Sequence, residues 1–231
     1  MIVATYNVHR CIGVDRRHDP DRVAAVIREL DADVVGLQEV DAQPEREDGL
    51  DQVAYLANAT GFVGIAGPTL RRHHGQFGNA LLTRRPVLGV RMLDLSVLGR
   101  EPRGAIDADL AVEGAACRVV VTHLGLSGRE RRRQVATLLA ALAAPAPSGT
   151  TVVIGDLNEW LGVGRVLRRL PVGFTGRAAA SFPSWFPVLS LDGVLVRPAA
   201  ALTGLRAHRT QLARVASDHL PVLAEVHGGG P

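Results

Sequence analysis

The segment 150–160, TTVVIGDLNEW, constrains the fold of this chain more than any other stretch. Its run of β-branched apolar residues is typical of a strand buried on both faces. Gly155 ends the run and favours a turn as the chain leaves the sheet. Asp156 and Asn158 follow two residues apart, so continued strand geometry would point both side chains to one side. Two interpretations stay open: an Asx turn capping the next helix, or a carboxylate and a carboxamide that steer an attacking water.

The composition fits one large α/β domain. With 231 residues, 47% of them apolar, the chain can fill a sizeable core, and we expect a single domain over 1–231. It has no apolar run as long as a membrane span, and the opening MIVATYNVHR resembles a strand more than a secretion signal. We therefore expect no stable membrane insertion and a cytoplasmic location. Cys11 and Cys117 lack disulfide or metal-site spacing and are expected to be inert.

The charge balance says little about partners. The formal net charge is +3, and all 26 residues counted as Lys or Arg are Arg. A guanidinium makes planar, bidentate contacts with phosphate, so the bias is compatible with a polyanionic partner. The same bias, together with many Ala, Gly, Val and Leu residues, is also typical of a GC-rich genome. No protein partner is predicted.

Hydrophobic periodicity predicts a strand, a helix and a second strand, followed by hairpins, which indicates a mixed sheet. Asp19 and Pro20 are expected to start the first helix. The stretch Pro68–Gly78 is predicted to be a loop, and the run Arg129–Arg133 a solvated helix face. Predicted strands cover 2–8, 33–40, 62–65, 79–83, 87–95, 103–112, 117–123, 150–155, 189–196 and 219–226, and predicted helices include 50–59, 127–142 and 160–170.

Polar residues recur where the predicted strands end or begin. They are Asn7, Glu39, His123, Asp156 with Asn158, Asp192, and Asp218 with His219. Charged groups abutting apolar strands are costly to bury unless they are paired or bind a metal, so one shared pocket would explain them all. Each residue alone is also typical of an ordinary turn or helix cap.

The residue types fit phosphoester cleavage assisted by a hard cation. Glu39, Asn7 and Asp218 offer the oxygen ligands that Mg²⁺ or Mn²⁺ prefers, and the sequence has no Cys/His cluster for a structural zinc. Asp156 and Asn158 would orient and deprotonate the attacking water. Asp192 would hold the charge of His219, and the resulting imidazolium, with His123 and the cation, would neutralise charge developing on the phosphoryl oxygens.

Seven short motifs in order resemble the endonuclease/exonuclease/phosphatase superfamily, which has the DNase I-like fold. They are TYNVH at 5–9, LQEV at 37–40, GNALLT at 78–83, THL at 122–124, GDLN at 155–158, LDGVLV at 191–196 and SDHLPV at 217–222. The resemblance implies a four-layer α/β sandwich, two facing mixed β-sheets flanked by helices. It also implies divalent-metal-dependent phosphoester hydrolysis.

The resemblance assigns roles position by position. It makes Glu39 the main metal ligand, with Asn7 and Asp218 near the metal. It makes Asp156 and Asn158 the residues that position the nucleophilic water and the phosphate, and it makes Asp192 and His219 a carboxylate–imidazole pair. His123 matches the strand-end histidine of DNase-like, sphingomyelinase-like and phosphatase members, where abasic-site endonucleases carry a tyrosine. Arg103 matches, on a loose motif, an arginine that contacts phosphate, and a surface salt bridge is the alternative.

Substrate choice in this fold depends on loops. Arg71, Arg72, His73 and His74 are candidate phosphate contacts, and Phe182, Trp185 and Phe186 either stack on bases, meet lipid, or fill the core under the sheet. The leading hypothesis is a nuclease-type phosphodiesterase. The alternatives are a phosphomonoesterase or phospholipid phosphodiesterase at the same site, and an inactive binding module.

Overall fold

The structure, a computed structural model, describes residues 1–42, 49–72, 75–143, 149–160 and 173–227. Within them the chain forms four α-helices: α1 (Pro20–Leu30), α2 (Gln52–Thr60), α3 (Gly128–Leu142) and α4 (Gln211–Ala216). The strands are β1 (Ile2–Asn7), β2 (Val34–Ala42), β3 (Val63–Arg72), β4 (Gly75–Thr83), β5 (Val87–Asp94), β6 (Gly104–Val112), β7 (Ala115–His123), β8 (Thr151–Asp156), β9 (Thr175–Ala178), β10 (Asp192–Arg197), β11 (Leu202–Ala207) and β12 (Val222–Val226). The helix predicted over 160–170 falls outside the described residues.

The strands form two six-stranded mixed sheets. The first has the order β11-β12-β1-β2-β4-β3 and the second the order β5-β6-β7-β8-β10-β9. In each sheet one central pair is parallel, β1 with β2 and β7 with β8, and the other pairs are antiparallel. Parallel pairs need a covered crossover, which α1 supplies between β1 and β2 and α3 between β7 and β8.

Three apolar clusters divide the molecule into four layers. The cluster between the sheets includes Val34, Val121 and Ile154, while others lie under α1, α2 and α4 and under α3. The sheets approach so closely that a Cβ on Gly36 would lie 2.8 Å from Ile154 Cδ1. The predicted four-layer sandwich of two mixed sheets flanked by helices is therefore confirmed. Among the described residues, no helix is both long and apolar enough to cross a bilayer.

The helix starts follow local capping rules. Asp19 Oδ1 accepts a hydrogen bond from Arg22 N at 2.9 Å, and Pro20 occupies the first helical position, which confirms the predicted start of α1. Asp51, Ser127 and Thr210 cap α2, α3 and α4 in the same way.

The predicted loop Pro68–Gly78 is wrong, because the stretch belongs to the β3–β4 hairpin, in which Arg71 pairs with Gln76. β3 is an edge strand, so Pro68 can lack an N–H there, and edge strands commonly carry exposed basic side chains. The proline and arginines that resemble a loop are thus features of the edge strand β3, while Gly75 and Gly78 belong to its inner neighbour β4.

Three other details differ from the sequence prediction. The predicted strands at 189–196 and 219–226 begin later, at Asp192 and Val222, because Leu189 bridges Phe182 and Pro221 has no N–H for a ladder. Gly155 lies inside β8 and does not make a turn. A Cβ there would lie 1.9 Å from the Thr122 carbonyl oxygen, so glycine is required by the close approach of β7.

Candidate active site

The predicted site residues meet where the two parallel strand pairs end. Asn7 ends β1 in the first sheet, while His123 and Asp156 end β7 and β8 in the second. In the second sheet His123 is paired in register with Asp156, and Asp156 with Asp192, which begins β10. Residues in register on neighbouring strands project to the same face, so these three side chains form one row.

Asn7 connects the two sheets at this edge. Its Nδ2 donates to Glu39 Oε1 at 3.1 Å and to Asp156 Oδ2 at 3.2 Å. Its Oδ1 accepts from His9 N at 3.1 Å, which fixes the orientation of the amide. The Asn7 side chain is 1% exposed, so these bonds are shielded from water.

A bulge in β2 places Glu39. The register between β2 and β4 shifts between Leu37 and Val40, and Glu39 adopts a φ of 58°. An extra residue in a bulge re-aims the local side chains, and here it turns Glu39 toward Asn7. Left-handed backbone is costly for a residue with a Cβ, and such geometry is concentrated at functional sites.

Asp156 and Asn158 converge, but not through continued strand alternation. Asn158 follows the strand with a φ of 49°, and its N–H donates to Asp156 Oδ1 at 2.9 Å, which is the Asx turn considered from the sequence. The turn directs Asn158 Nδ2 to the Leu124 carbonyl at 2.8 Å and to His123 Nε2 at 3.1 Å. The turn therefore builds the polar cluster, and the two interpretations are compatible.

The predicted pair of Asp192 and His219 is present as a short contact. His219 Nδ1 lies 2.8 Å from Asp192 Oδ2, and His219 Nε2 lies 3.8 Å from Asp156 Oδ2. Ser181, which the sequence did not single out, donates its hydroxyl to Asp192 Oδ2 at 2.5 Å. The Phe182 ring packs on the imidazole with 4.9 Å between centroids. Asp192 and His219 are both buried, with 0% and 5% of their surface exposed.

The two histidines next to Asp156 differ in protonation. Burial, with the charges of Arg103 and His219, lowers the pKa of His123 to about 4 against the opposing effect of Asp156. Burial would also lower the pKa of His219, but the charge and hydrogen bond of Asp192, with Asp156 and Asp218, raise it to about 10. At neutral pH the site thus holds one neutral imidazole and one imidazolium.

The environment of each ring accounts for this difference. Both rings are buried, but the Arg103 guanidinium lies 3.4 Å from Nδ1 of His123 and opposes its protonation, whereas the Asp192 carboxylate lies 2.8 Å from Nδ1 of His219 and favours it. Burial raises the pKa of Asp156, Asp192 adds to this effect, and His123 and His219 act in the opposite direction. A carboxylate with a raised pKa is suited to accept a proton near neutral pH.

Two groups of residues fit a cation differently. Ligand atoms of Asp156, Asp192 and His219 lie within 4.8 Å of one another, but a protonated imidazole has no lone pair for a metal. Glu39 and Asp156 instead flank the Asn7 amide, and their oxygens match a hard cation. Asn7 presents its nitrogen to both carboxylates, so its amide would have to turn over to offer oxygen. The Asp218 carboxylate lies 3.9 Å from His9 Nδ1 and accepts a hydrogen bond from Ser217 Oγ at 3.4 Å. Among the described residues it forms no hydrogen bond or ion pair with Glu39 or Asn7.

A cavity of about 290 Å³ opens on these residues. Its lining combines polar and charged side chains with five apolar or aromatic ones, Phe77, Leu126, Trp160, Phe182 and Leu191. The full lining is Arg10, Glu39, Phe77, Glu101, Arg103, His123, Leu126, Asp156, Asn158, Trp160, Phe182, Leu191 and His219.

Of the predicted substrate contacts, some line the cavity and others lie elsewhere or outside the described residues. Arg103 lines the cavity, is 7% exposed, and lies 3.4 Å from Glu101 Oε1, so it is not a surface residue. Arg72 ends β3 but its side chain, like His74, lies outside the described part of the chain. Trp185 and Phe186 are 65% and 62% exposed with ring centroids 6.0 Å apart, so they do not fill the core. Phe182 is the aromatic residue of this segment that reaches the cavity.

A buried ion pair between Arg131 and Glu159 supports the loops of the site. The predicted solvated face Arg129–Arg133 is therefore wrong for Arg131. Arg131 is 7% exposed and donates to the carbonyls of Gly125 at 3.1 Å and Leu126 at 2.6 Å. Its Nη2 also reaches Glu159 Oε1 at 3.4 Å. The arginine thus connects the loop after β7 to the loop after β8. Helical spacing is the one available signal, since Arg131 falls on the buried stripe of α3 with Gln134, Val135 and Leu138.

Comparison with known proteins identifies the family. The profile of the Endonuclease/Exonuclease/phosphatase family matches residues 4–219, and the chain belongs to that family. Members are typically hydrolases of phosphoester bonds, and the family generally uses a divalent metal.

Among individual proteins, the chain is 32% identical to the uncharacterized protein YbhP of Escherichia coli K12, over 97% of this chain and 95% of that protein. The fold is shared with two more distant structures. A functionally unknown conserved protein from Enterococcus faecalis has a TM-score of 0.79 at 20% identity, covering 99% of this chain and 100% of that one. TDP2 of D. rerio, in complex with a single-strand DNA product, has a TM-score of 0.74 at 19% identity, with 98% of each chain covered.

Proposed function

We propose that the protein is a divalent-metal-dependent phosphodiesterase that acts on nucleic acid, with Mg²⁺ or Mn²⁺ as its cofactor. The observation that carries the proposal is Asp156, a buried carboxylate 3.6 Å from the neutral His123 and 3.8 Å from the imidazolium of His219. A base, a charge-stabilising acid and an orienting group are thereby within reach of one reacting phosphate.

Glu39 would hold the cation, with Asn7 and Asp218 near it. The bound cation would supply positive charge for the phosphoryl oxygens. Asp156, oriented by Asn7 and by the Asn158 amide, would take a proton from the attacking water. The imidazolium of His219, held by Asp192, would donate a hydrogen bond to a phosphoryl oxygen. His123 and Asn158 would orient the same phosphate, and Arg103 would contact it.

A second candidate is a phosphomonoesterase or a phospholipid phosphodiesterase. It is supported by the apolar residues of the cavity lining, of which Leu126 and Trp160 are 65% and 47% exposed. A lipid or another apolar leaving group would cover these side chains. An inactive binding module predicts that Glu39, Asp156, Asn158 or His219 is replaced, and all four are present.

The test is hydrolysis by purified protein with Mg²⁺, with Mn²⁺ and with EDTA. Substrates are single- and double-stranded DNA, RNA, bis-p-nitrophenyl phosphate, p-nitrophenyl phosphate and sphingomyelin. We expect metal-dependent cleavage of a polynucleotide that Asp156→Asn abolishes and that Asp94→Asn, at an exposed carboxylate, leaves intact. Activity on a monoester or lipid alone would support the second candidate, and absence of any hydrolysis would contradict both.

A further inference from the structure

We propose that Arg10 binds a second phosphate of the substrate, next to the phosphodiester that is cleaved. This inference rests on the proposed function and adds a substrate class to it: polyphosphodiesters, such as a single nucleic acid strand, in preference to isolated phosphodiesters. The observation behind it is a guanidinium that lines the cavity together with Glu39 and His219.

Arg10 is held in place by an unusual turn. His9, Arg10 and Cys11 have φ values of 45°, 56° and 58°, three consecutive left-handed residues that are not glycine. Gln52 Nε2 donates to the Arg10 carbonyl at 2.8 Å, and Asp19 N donates to the Cys11 carbonyl at 2.8 Å. The turn begins two residues after Asn7, at the end of β1, and the Arg10 side chain lines the cavity of the site.

The guanidinium is oriented by an aromatic ring and not by a carboxylate. Its Cζ lies 4.9 Å from the centroid of Phe77, a buried residue of β4. Stacking fixes the plane of a guanidinium and leaves its in-plane N–H groups available for a bidentate oxygen acceptor. Within the described ranges, Arg10 forms no salt bridge, and its buried Nε has no hydrogen-bond partner.

Charges along the cavity favour a phosphate as the acceptor. Arg103 Nη1 lies 3.4 Å from Glu101 Oε1 and His219 Nδ1 lies 2.8 Å from Asp192 Oδ2, so both already have a carboxylate partner. Arg10 adds a guanidinium whose N–H groups donate to no side chain among the described residues. A phosphate accepts two parallel N–H bonds from a guanidinium, and each such contact also adds to the salt dependence of binding.

The experiment compares substrates with and without a second phosphate. The probes are bis-p-nitrophenyl phosphate, which has one phosphate, and a short single-stranded oligodeoxynucleotide. For Arg10→Gln we expect KM for the oligonucleotide to rise about 10- to 100-fold with little change in kcat, and both constants for bis-p-nitrophenyl phosphate to stay within about twofold. Arg17→Gln, at an exposed arginine of the following loop, is the matched control.

Binding provides an independent readout. In an Asp156→Asn background, fluorescence anisotropy with the labelled oligonucleotide should show weaker binding for Arg10→Gln and a salt slope smaller by about one phosphate contact. Arg10→Lys, which keeps the charge without the planar fork, should recover part of the affinity. Unchanged oligonucleotide affinity, or equal losses on both substrates, would overturn the proposal. Metal-dependent hydrolysis of both substrates, with a KM for the oligonucleotide that Arg10→Gln leaves unchanged, would refute this inference and leave the phosphodiesterase proposal standing.

Discussion

Replacing Arg131 by methionine tests whether the loops of the site depend on a buried ion pair. Methionine keeps an unbranched apolar stem but removes three contacts: those to the carbonyls of Gly125 and Leu126 and to the carboxylate of Glu159. Glu159 is 5% exposed, so its charge would stay buried without the arginine. Breaking a buried pair in this way costs more than the pair itself contributes.

The expected loss can be estimated from these contacts. Stranding one partner of a buried ion pair costs about 3–5 kcal/mol. Each carbonyl left without its hydrogen bond adds about 1–3 kcal/mol to the loss of stability when water cannot reach it. Leu126 is exposed, so water replaces part of the bond at its carbonyl. With the buried Gly125 carbonyl included, we therefore expect Arg131→Met to lower the free energy of unfolding by about 4–8 kcal/mol. The exposed neighbour Arg132 should tolerate the same change within about 0.5 kcal/mol.

Urea denaturation followed by tryptophan fluorescence measures both variants. The Arg131→Met/Glu159→Gln double variant separates a buried charge from a simple loss of packing, because it neutralises the stranded carboxylate. We expect it to be more stable than Arg131→Met alone. A loss below about 1 kcal/mol for Arg131→Met, or a double variant that is less stable than the single one, would refute the reasoning.

Three further changes address the chemistry of the site. Asp156→Ala should lower kcat by about 10²- to 10⁴-fold with little loss of thermal stability, and a large fall in melting temperature would favour a structural role instead. Glu39→Gln should shift the Mg²⁺ titration to higher concentration, and an unchanged titration would remove Glu39 from the ligand set. The pKa of His219, about 10 in the fold against about 6.5 unfolded, means that its pairing with Asp192 stabilises the protein fully below pH ~6.5 and is lost as the pH rises through about 10. Asp192→Asn should remove most of this alkaline loss in urea titrations across that range, and an unchanged profile would contradict the assignment.

The strand-end residues could be predicted from the sequence because of a topological rule. Apolar runs in the sequence indicate buried strands, and neighbouring parallel strands end at the same edge of a sheet. His123 and Asp156 are in register for this reason. Asp192 joins them because it begins a strand that is antiparallel to β8. The family motifs then related the two sheets to each other, which periodicity alone does not do.

The remaining features depend on tertiary context. Nothing in the local sequence separates Arg131 from its exposed neighbours except its position on the buried stripe of α3. Short edge strands such as β9 and β11 bury little surface, so they carry weak patterns in a Gly- and Ala-rich region. The β3–β4 hairpin resembles a loop because an edge strand tolerates proline and charge.

Backbone geometry explains why the cavity itself was the least predictable feature. Arg10, Glu39 and Asn158 all line it, and all three adopt positive φ although none is glycine. Each left-handed residue costs about 1–2 kcal/mol unless it is compensated locally. The compensation comes from one hydrogen bond at each position, donated by Gln52 to the Arg10 carbonyl, by Asn7 to the Glu39 carboxylate and by the Asn158 N–H to Asp156.

Two of these hydrogen bonds join segments that are distant in sequence, so the turns form only when the sheets and α2 have packed. Asn7 is separated from Glu39 by 32 positions, and Arg10 from Gln52 by 42. The geometry that aims these side chains into the cavity is therefore a property of the assembled fold. A glycine at Arg10 would relieve the backbone cost but remove the guanidinium, so an arginine at this left-handed position beside the cavity supports a function for its side chain.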